Sequence, residues 1–384
     1  MAHYLDHAST TPLHPAAAEA MAGATAEAWA DPSRLYGEAR RARIALDEAR
    51  AGVAAAVGAR AEEIVFTGGG TESCNLAIAA GARAAAAARK PRRIVVSAVE
   101  HTAVLEAARA LGDFDLVEAP VDATGRVDLD ALRVACAGGA GLVSVQTANH
   151  EVGTRQPLAE AVAIAREAGA IVHTDACITA GNEPTDVASL GVDLLSASAH
   201  KAYGPKGAGL LWVRRGTRVR PVQVGDDRER GRRAGIENLP AIAGYAAALA
   251  ARSSEWAEEA ERLGRLTERL RTELPAAVPD LVVHGHPAER LPGLVAFSVL
   301  YVEGEALLLG LDRAGIAVHS GSSCTAATGE PSHVLAAMGA LTQGSIRVSL
   351  GRGSNEEDVE ALLGALPDVV ARARATAGPA TRGR

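Results

Sequence analysis

The chain has 384 residues, of which 48% are hydrophobic and only 3% aromatic, so its core must be built mainly from aliphatic side chains and alanine. The formal net charge of −7 argues against direct binding to nucleic acid or to an anionic membrane. Four cysteines in a chain of this length exclude a disulfide-built scaffold. A basic and apolar leader is missing, as is an apolar run of the ~20 residues that span a membrane, so we expect a cytoplasmic protein.

The first half of the sequence alternates between β-branched runs and helical patterns rich in Ala, Leu and Glu. Strands are predicted at residues 63–66, 93–98, 115–119, 142–146, 171–174, 194–198 and 209–213, and helices at 43–57, 73–88, 102–111 and 158–168. Such alternation is typical of a mostly parallel sheet with helices on both faces. Binding sites in such sheets collect at the carboxyl ends of the strands.

The pattern changes after Asn238. A long helix is predicted from about residue 240 to 274, where we expect Pro275 and Pro279 to end it. A smaller α/β pattern follows, with elements at residues 281–283, 294–298, 304–314, 346–350 and 356–376. We therefore predict four parts: an N-terminal segment (1–14) that packs with the small domain, a large domain (15–255), a small C-terminal domain (256–376) and a disordered tail (377–384).

The end of the first predicted strand runs into the sequence Thr-Gly-Gly-Gly-Thr-Glu-Ser at residues 67–73, where a helix begins. Backbone N–H groups at a helix N-terminus form a ready phosphate site. A plain glycine-rich turn explains the pattern equally well. No Gly-Lys-Ser/Thr sequence follows, so this is not a Walker loop.

Two further strand ends carry charged residues. Asp175 follows the strand at 171–174 and could keep a pyridine ring nitrogen protonated, although a capping role is commoner for such an aspartate. Lys201 follows Ser198 and His200 at the end of another strand. A lysine in a crevice can form a Schiff base, whereas a lone lysine is more often a surface residue.

The four cysteines fall into two groups. Cys324 ends the small, polar sequence Ser-Gly-Ser-Ser-Cys, which suits a thiolate that reaches solvent. We expect Cys74, Cys136 and Cys177 to be small buried packing residues. Because no Cys-x-x-Cys motif occurs, the sequence suggests no zinc or cluster site.

Taken in order, these motifs resemble those of the cysteine desulfurases, in particular their housekeeping or nitrogen-fixation subgroup. Further matching stretches are residues 4–12, Glu100-His101, Asn149-His-Glu-Val-Gly and Ser345-Ile-Arg-Val-Ser-Leu-Gly-Arg. The cysteine desulfurases are class-V aminotransferases that use pyridoxal 5′-phosphate (PLP). The resemblance implies the type I fold of PLP-dependent transferases, with a large, mostly parallel seven-stranded sheet domain and a smaller α/β C-terminal domain.

The resemblance also implies a reaction, in which L-cysteine becomes L-alanine and its sulfur passes as a persulfide on Cys324 to an acceptor protein of unknown identity. Lys201 would hold PLP as a Schiff base and then take the Cα proton, and His101 would stack on the cofactor ring. The other implied contacts are Gly70, Thr71, Ser198 and His200 with the phosphate, Asp175 with the pyridine nitrogen, and Asn149 and Arg352 with the substrate, Arg352 holding its carboxylate. The resemblance implies a homodimer, and no metal.

Several positions depart from the family pattern, among them residues 31–36 and 225–227 and three positions that usually contact the cofactor. His150 stands where a cofactor-contacting Asn is usual, Ile178 replaces a Gln that bonds the ring hydroxyl, and Ile236 replaces a Thr that reaches the neighbouring subunit's phosphate. We expect a working PLP enzyme in which His150 contacts the cofactor and replaces one lost hydrogen bond. Two alternatives stay open: a class-V cysteine or selenocysteine lyase or C–S β-lyase, and an impaired paralogue that acts as a partner-binding scaffold.

Overall fold

A computed structural model describes residues 3–320 and 331–376. The strands in this part of the chain are β1 His3–Tyr4, β2 Ile64–Thr67, β3 Arg93–Ser97, β4 Asp115–Ala119, β5 Leu142–Ser144, β6 Ile171–Asp175, β7 Leu194–Ser198, β8 Gly209–Val213, β9 Leu281–His284, β10 Leu294–Val299, β11 Ile316–Ala317 and β12 Ser345–Ser349. The helices are α1 Pro15–Glu27, α2 Gly37–Ala56, α3 Gly70–Ala87, α4 Thr102–Arg109, α5 Leu129–Ala135, α6 Leu158–Glu167, α7 Val187–Leu190, α8 Arg228–Gly231, α9 Leu239–Ala277, α10 Gly304–Arg313, α11 His333–Ala337 and α12 Glu356–Thr376. Within the described ranges, none of these helices has the length and apolarity needed to cross a membrane.

The large sheet has seven strands in the order β2-β8-β7-β6-β5-β3-β4. Only β8 runs antiparallel to its neighbours in this sheet, so the other six strands end at the same edge. Strands β7 and β8 are fully buried, which explains why their sequences contain only apolar and small residues. The predicted seven-stranded, mostly parallel sheet is confirmed.

A second, smaller sheet lies in the C-terminal part of the chain. It consists of β12, β10 and β9, all antiparallel, and it packs with α10 and α12 around a core that includes Phe297 and Leu366. The start of the chain joins this part, because β1 pairs in parallel with β11 and Leu5 is buried in the same core.

Helix α9 connects the two sheets. It continues through Pro275 to Ala277, so the expectation that Pro275 ends it is wrong. A proline only three residues from the helix end removes one intrahelical hydrogen bond, which the last turn tolerates. The predicted domain boundary near residue 255 falls within this helix and stays a prediction, and the tail at 377–384 lies outside the described residues.

A buried ion pair holds the segment around α8 against α2 and β2 of the large sheet. Arg50 on α2 makes two hydrogen bonds, of 2.6 and 2.8 Å, to the carboxylate of Glu229, which also accepts the backbone N–H of Phe66 at 3.0 Å. Glu229 has a left-handed backbone, with φ of 48°. The segment around α8 is thereby tied to β2, the strand that leads into α3.

Candidate active site

A cavity of about 930 Å³ opens at the carboxyl ends of β2, β6 and β7. Eight of the predicted site residues line it: Gly70, Thr71, His101, His150, Asp175, Ser198, His200 and Lys201. The parallel arrangement of the strands explains this convergence, because their polar end residues reach one edge of the sheet. Cys324 falls in residues 321–330, outside the described residues.

One end of the cavity is suited to an anion. Helix α3 begins at Gly70, and the first N–H groups of a helix have no intrahelical partner. Gly69 has φ of 152°, which favours glycine, and a Cβ on Gly70 would lie 2.6 Å from Cys177 Sγ. Ser198 Oγ faces this region, buried and without a hydrogen-bond partner. An anion placed there would satisfy both the helix N–H groups and this hydroxyl.

Asp175 ends β6 and supplies a buried carboxylate. Its Oδ1 accepts the backbone N–H of Cys177 at 2.8 Å. Burial acts to raise its pKa, but the positive charge that His101 carries when protonated, the hydrogen bonds from Cys177 and the charge of Lys201 together outweigh burial and keep the pKa below its usual value. Asp175 is therefore an ionised acceptor inside the cavity.

Lys201 follows β7 at the end of the short turn Ala199–Lys201. Its carbonyl accepts a hydrogen bond of 2.8 Å from Asn182 Nδ2, which fixes the backbone while the side chain lines the cavity. His200 beside it bonds Thr10 Oγ1 at 3.2 Å. Burial, with the charges of Lys201 and Lys206, lowers the pKa of His200 to about 4, so its ring is neutral.

His101 and His150 face each other, with ring centroids 4.9 Å apart. His101 Nδ1 accepts the N–H of Ala103 at the start of α4, so the proton of the neutral ring lies on Nε2. The pKa of His101 is lowered to about 4, mainly by burial and next by the charge of Lys201. Burial also holds the pKa of His150 well below its usual value, and both of its ring nitrogens lack a hydrogen-bond partner.

The two arginines of the predicted Ser345–Arg352 motif lie in different places. Arg352 is 44% exposed and bonds Glu255 at 2.9 Å, outside the cavity. The expectation that Arg352 reaches the site is therefore corrected, because Arg347 is the arginine of this motif that lines the cavity. Arg347 on β12 is 2% exposed and lines the cavity. Alternation along β12 turns Arg347 away from the small core, which Ile346 and Val348 face, whereas Arg352 lies beyond the end of the strand.

Asn149 is likewise not among the described residues that line the cavity. Its Nδ2 donates to the carbonyl of Val99 at 3.0 Å, and its Oδ1 accepts the N–H groups of Glu151 and Val152. The amide is thus occupied in holding the loop that carries His150. The structure gives Asn149 a positioning contact where the resemblance implied contact with the substrate.

The cavity wall also contains two cysteines for which the sequence predicted only a packing role. Cys74 and Cys177 are buried, as expected of packing residues, but both line the cavity beside Asp175. Ile178 lines it as well and packs against Leu291 and Leu294, so an apolar surface occupies the position of the expected Gln. Ile236 is 61% exposed and does not contribute to this wall.

Comparison with known proteins places the chain in a family. The family model of class-V aminotransferases matches residues 3–362. A cysteine desulfurase IscS of Dictyoglomus turgidum is 42% identical over 376 residues, which cover 97% of this chain and 95% of that protein. The chain belongs to the class-V aminotransferase family, and within it to the cysteine desulfurases.

Solved structures agree with this placement. A NifS-like protein superposes with a TM-score of 0.88 at 32% identity, covering 97% of this chain and all of the other. SspA in complex with cysteine superposes with a TM-score of 0.78 at 28% identity, covering 91% and 98% of the two chains. The predicted family and type I fold are confirmed.

Proposed function

We propose that the chain is a PLP-dependent cysteine desulfurase, which converts L-cysteine to L-alanine and passes the sulfur to an acceptor protein through a persulfide on Cys324. The observation that carries the proposal is the convergence of Lys201, Asp175 and His101 in one cavity, in a chain of this family. The role of Cys324 rests on its sequence motif.

The cavity wall fits PLP at both ends. Ser198 Oγ, His200, Thr71 and the N-terminus of α3 would hold the phosphate, and the ionised Asp175 would hold the pyridine nitrogen. When it is bound through Lys201, PLP supplies an electron sink for the negative charge that develops at the substrate Cα. The orphaned Ser198 hydroxyl is the observation that favours a bound anion.

The remaining residues have separate tasks. Lys201 Nζ would take the Cα proton, because among the two lysines that line the cavity, Lys201 and Lys206, it is the one whose charge acts on both Asp175 and His101. His101 would cover the cofactor ring with its Nε2–H directed into the cavity. Arg347 would hold the substrate carboxylate in place of Arg352, and its buried Nε has no partner. Asn149 would position His150.

We also propose that the chain forms a homodimer. Several large apolar side chains are strongly exposed in the segments around α8 and between α1 and α2, among them Leu35 at 89%, Val224 at 81% and Trp29 at 70%. A hydrogen bond of 2.7 Å from Arg228 to Asp31 joins these two segments. A second copy of the chain would cover the patch, and sedimentation at several concentrations would reveal a monomer if it does not.

The location we propose is the cytoplasm. The three cysteines within the described ranges are free thiols, as a reducing compartment would keep them.

The experiment that tests the proposed activity measures alanine and sulfide formed from L-cysteine. The wild-type protein should show visible absorbance from bound cofactor and release both products in the presence of a reductant. Lys201→Ala should abolish turnover, and Cys324→Ala should abolish sulfur release. Full sulfur release by Cys324→Ala would favour the class-V lyase alternative. Absence of cofactor absorbance would favour the alternative of an impaired paralogue that acts as a partner-binding scaffold.

A further inference from the structure

Two cysteines that the proposed reaction does not use lie side by side in the cavity wall. Cys74 is on the first turns of α3, and Cys177 follows Asp175 at the end of β6. The two sulfur atoms and a carboxylate oxygen of Asp175 all lie within 4.8 Å of one another. All three residues are buried from bulk solvent yet line the same cavity.

The local structure holds these atoms in place. The backbone N–H of Cys177 donates to Asp175 Oδ1 at 2.8 Å, which fixes the carboxylate relative to the backbone that carries the thiol. Gly70 leaves the space that Cys177 Sγ occupies, because a Cβ there would approach the sulfur to 2.6 Å. The hydrogen bond between the two thiols and their burial raise the pKa of Cys74 well above its usual value. In the empty pocket the pair is therefore protonated.

We propose that Cys74, Cys177 and Asp175 form a site for a thiophilic divalent cation, physiologically Zn²⁺, which binds when the cofactor is absent. Zinc–sulfur bonds of about 2.3 Å in a tetrahedral site place two sulfurs about 3.8 Å apart. The observed limit of 4.8 Å is within about 1 Å of that spacing, a shift that side-chain rotation can supply. Water from the open cavity completes the fourth position.

The charges of the site balance. Binding releases one proton from each thiol to solvent, so two thiolates and one carboxylate carry three negative charges against the two positive charges of the cation. The charge of Lys201 acts on both Asp175 and Cys177 and offsets the remaining negative charge.

The cation and the cofactor compete, because both require Asp175. This part of the inference rests on the proposed function, in which Asp175 holds the pyridine nitrogen. A protein that has lost its cofactor would be held in an inactive, metal-bound form until the cation is removed.

The first experiment titrates reduced, cofactor-free protein with Cd²⁺ and follows the ultraviolet absorbance of cadmium–thiolate bonds. All proteins carry Cys324→Ser, which removes the thiol outside the described residues. The parent should bind one cation per chain, and so should a matched Cys136→Ser variant, since Cys136 is buried in the core of the large domain away from the cavity. Replacing Cys74 and Cys177 together with serine should abolish the band. Replacing Cys74 and Cys177 with alanine should abolish the band as well, and circular dichroism of both double variants checks that they fold.

The second experiment adds PLP to the cofactor-free protein in the presence of Zn²⁺ and follows the visible absorbance. Zinc should block cofactor uptake by the parent but not by the double serine variant, and a chelator should restore uptake. A cadmium band that persists without Cys74 and Cys177, or no band in the parent, overturns the site. Uptake that zinc leaves unchanged overturns the competition. If no PLP binds under any condition, the proposed function fails while the cadmium titration still stands.

Discussion

Arg347 donates a hydrogen bond of 3.1 Å from Nη1 to the backbone carbonyl of His150. This bond joins β12 of the small sheet to the loop that follows β5 of the large sheet. The same guanidinium bonds Asp6 at 2.8 Å and Ser9 at 2.6 Å. One buried side chain thus links the N-terminal segment, the small sheet and the cavity wall.

Replacing Arg347 should impair substrate binding more than replacing Arg352. Arg347→Lys keeps a charge near Asp6 but loses the planar fork that pairs with a carboxylate, so kcat/KM for L-cysteine should fall about 10- to 100-fold. Arg352→Lys is the matched control and should leave kcat/KM nearly unchanged, because its partner Glu255 is at the surface. Steady-state kinetics check this, and a larger loss in the Arg352 variant would contradict the assignment.

The stability of the protein should fall as the pH drops below about 6.5. His173 is buried between Ser144 Oγ and Ser196 Oγ, and burial lowers its pKa from 6.5 to about 4. A folded-state pKa below the unfolded value means that the unfolded chain binds more protons in this interval, so acidification favours unfolding. The expected contribution of His173 is about 2 kcal/mol between pH 7 and pH 5.

Urea unfolding at both pH values measures this effect. His173→Gln should weaken the pH dependence, because the group with the lowered pKa is removed. Equal pH dependence in wild type and His173→Gln would contradict the prediction.

Glu229→Gln should destabilise the fold by about 3–5 kcal/mol, because it leaves the buried charge of Arg50 without its partner. The matched control is Asp47→Asn in the exposed pair with Arg43, which should change the free energy of unfolding by less than about 1 kcal/mol. Chemical denaturation of the two variants provides the measurement, and similar effects at both sites would refute a structural role for the buried pair.

Gly70→Ala should weaken cofactor binding. The added Cβ would meet Cys177 Sγ at 2.6 Å and Ser198 Cβ at 3.1 Å, which displaces the start of α3 or closes the anion end of the cavity. A second change, Cys177→Ala, removes the nearer obstacle and should restore part of the affinity.

The control for this series is Gly23→Ala, where nothing lies within 4 Å of the new Cβ. That variant should bind PLP normally and gain about 0.5–1 kcal/mol of stability from helix propensity. Absorbance titration with PLP measures all three variants, and undiminished affinity in Gly70→Ala would show that the close contact has no consequence.

The large sheet was predictable because most of its strands are buried and contain short apolar, β-branched stretches between helical patterns. Strands β1 and β11 have two residues each, too few to form a pattern in the sequence. The motif of residues 345–352 contains two arginines, of which Arg347 is buried on β12 and Arg352 is exposed beyond the end of that strand. Cys74 and Cys177 looked like packing residues because their meeting depends on how α3 sits against β6, which is a tertiary relationship.

The pairing of β1 with β11 has a consequence for the order of assembly during synthesis. Residues 3–6 emerge from the ribosome more than 300 positions ahead of their partners Ile316, Ala317 and Arg347. The seven strands of the large sheet are complete once Val213 has emerged. A nascent chain can therefore hold a folded large sheet while residues 3–6 have no partner, and the wall that Arg347 completes closes only after β12 has emerged.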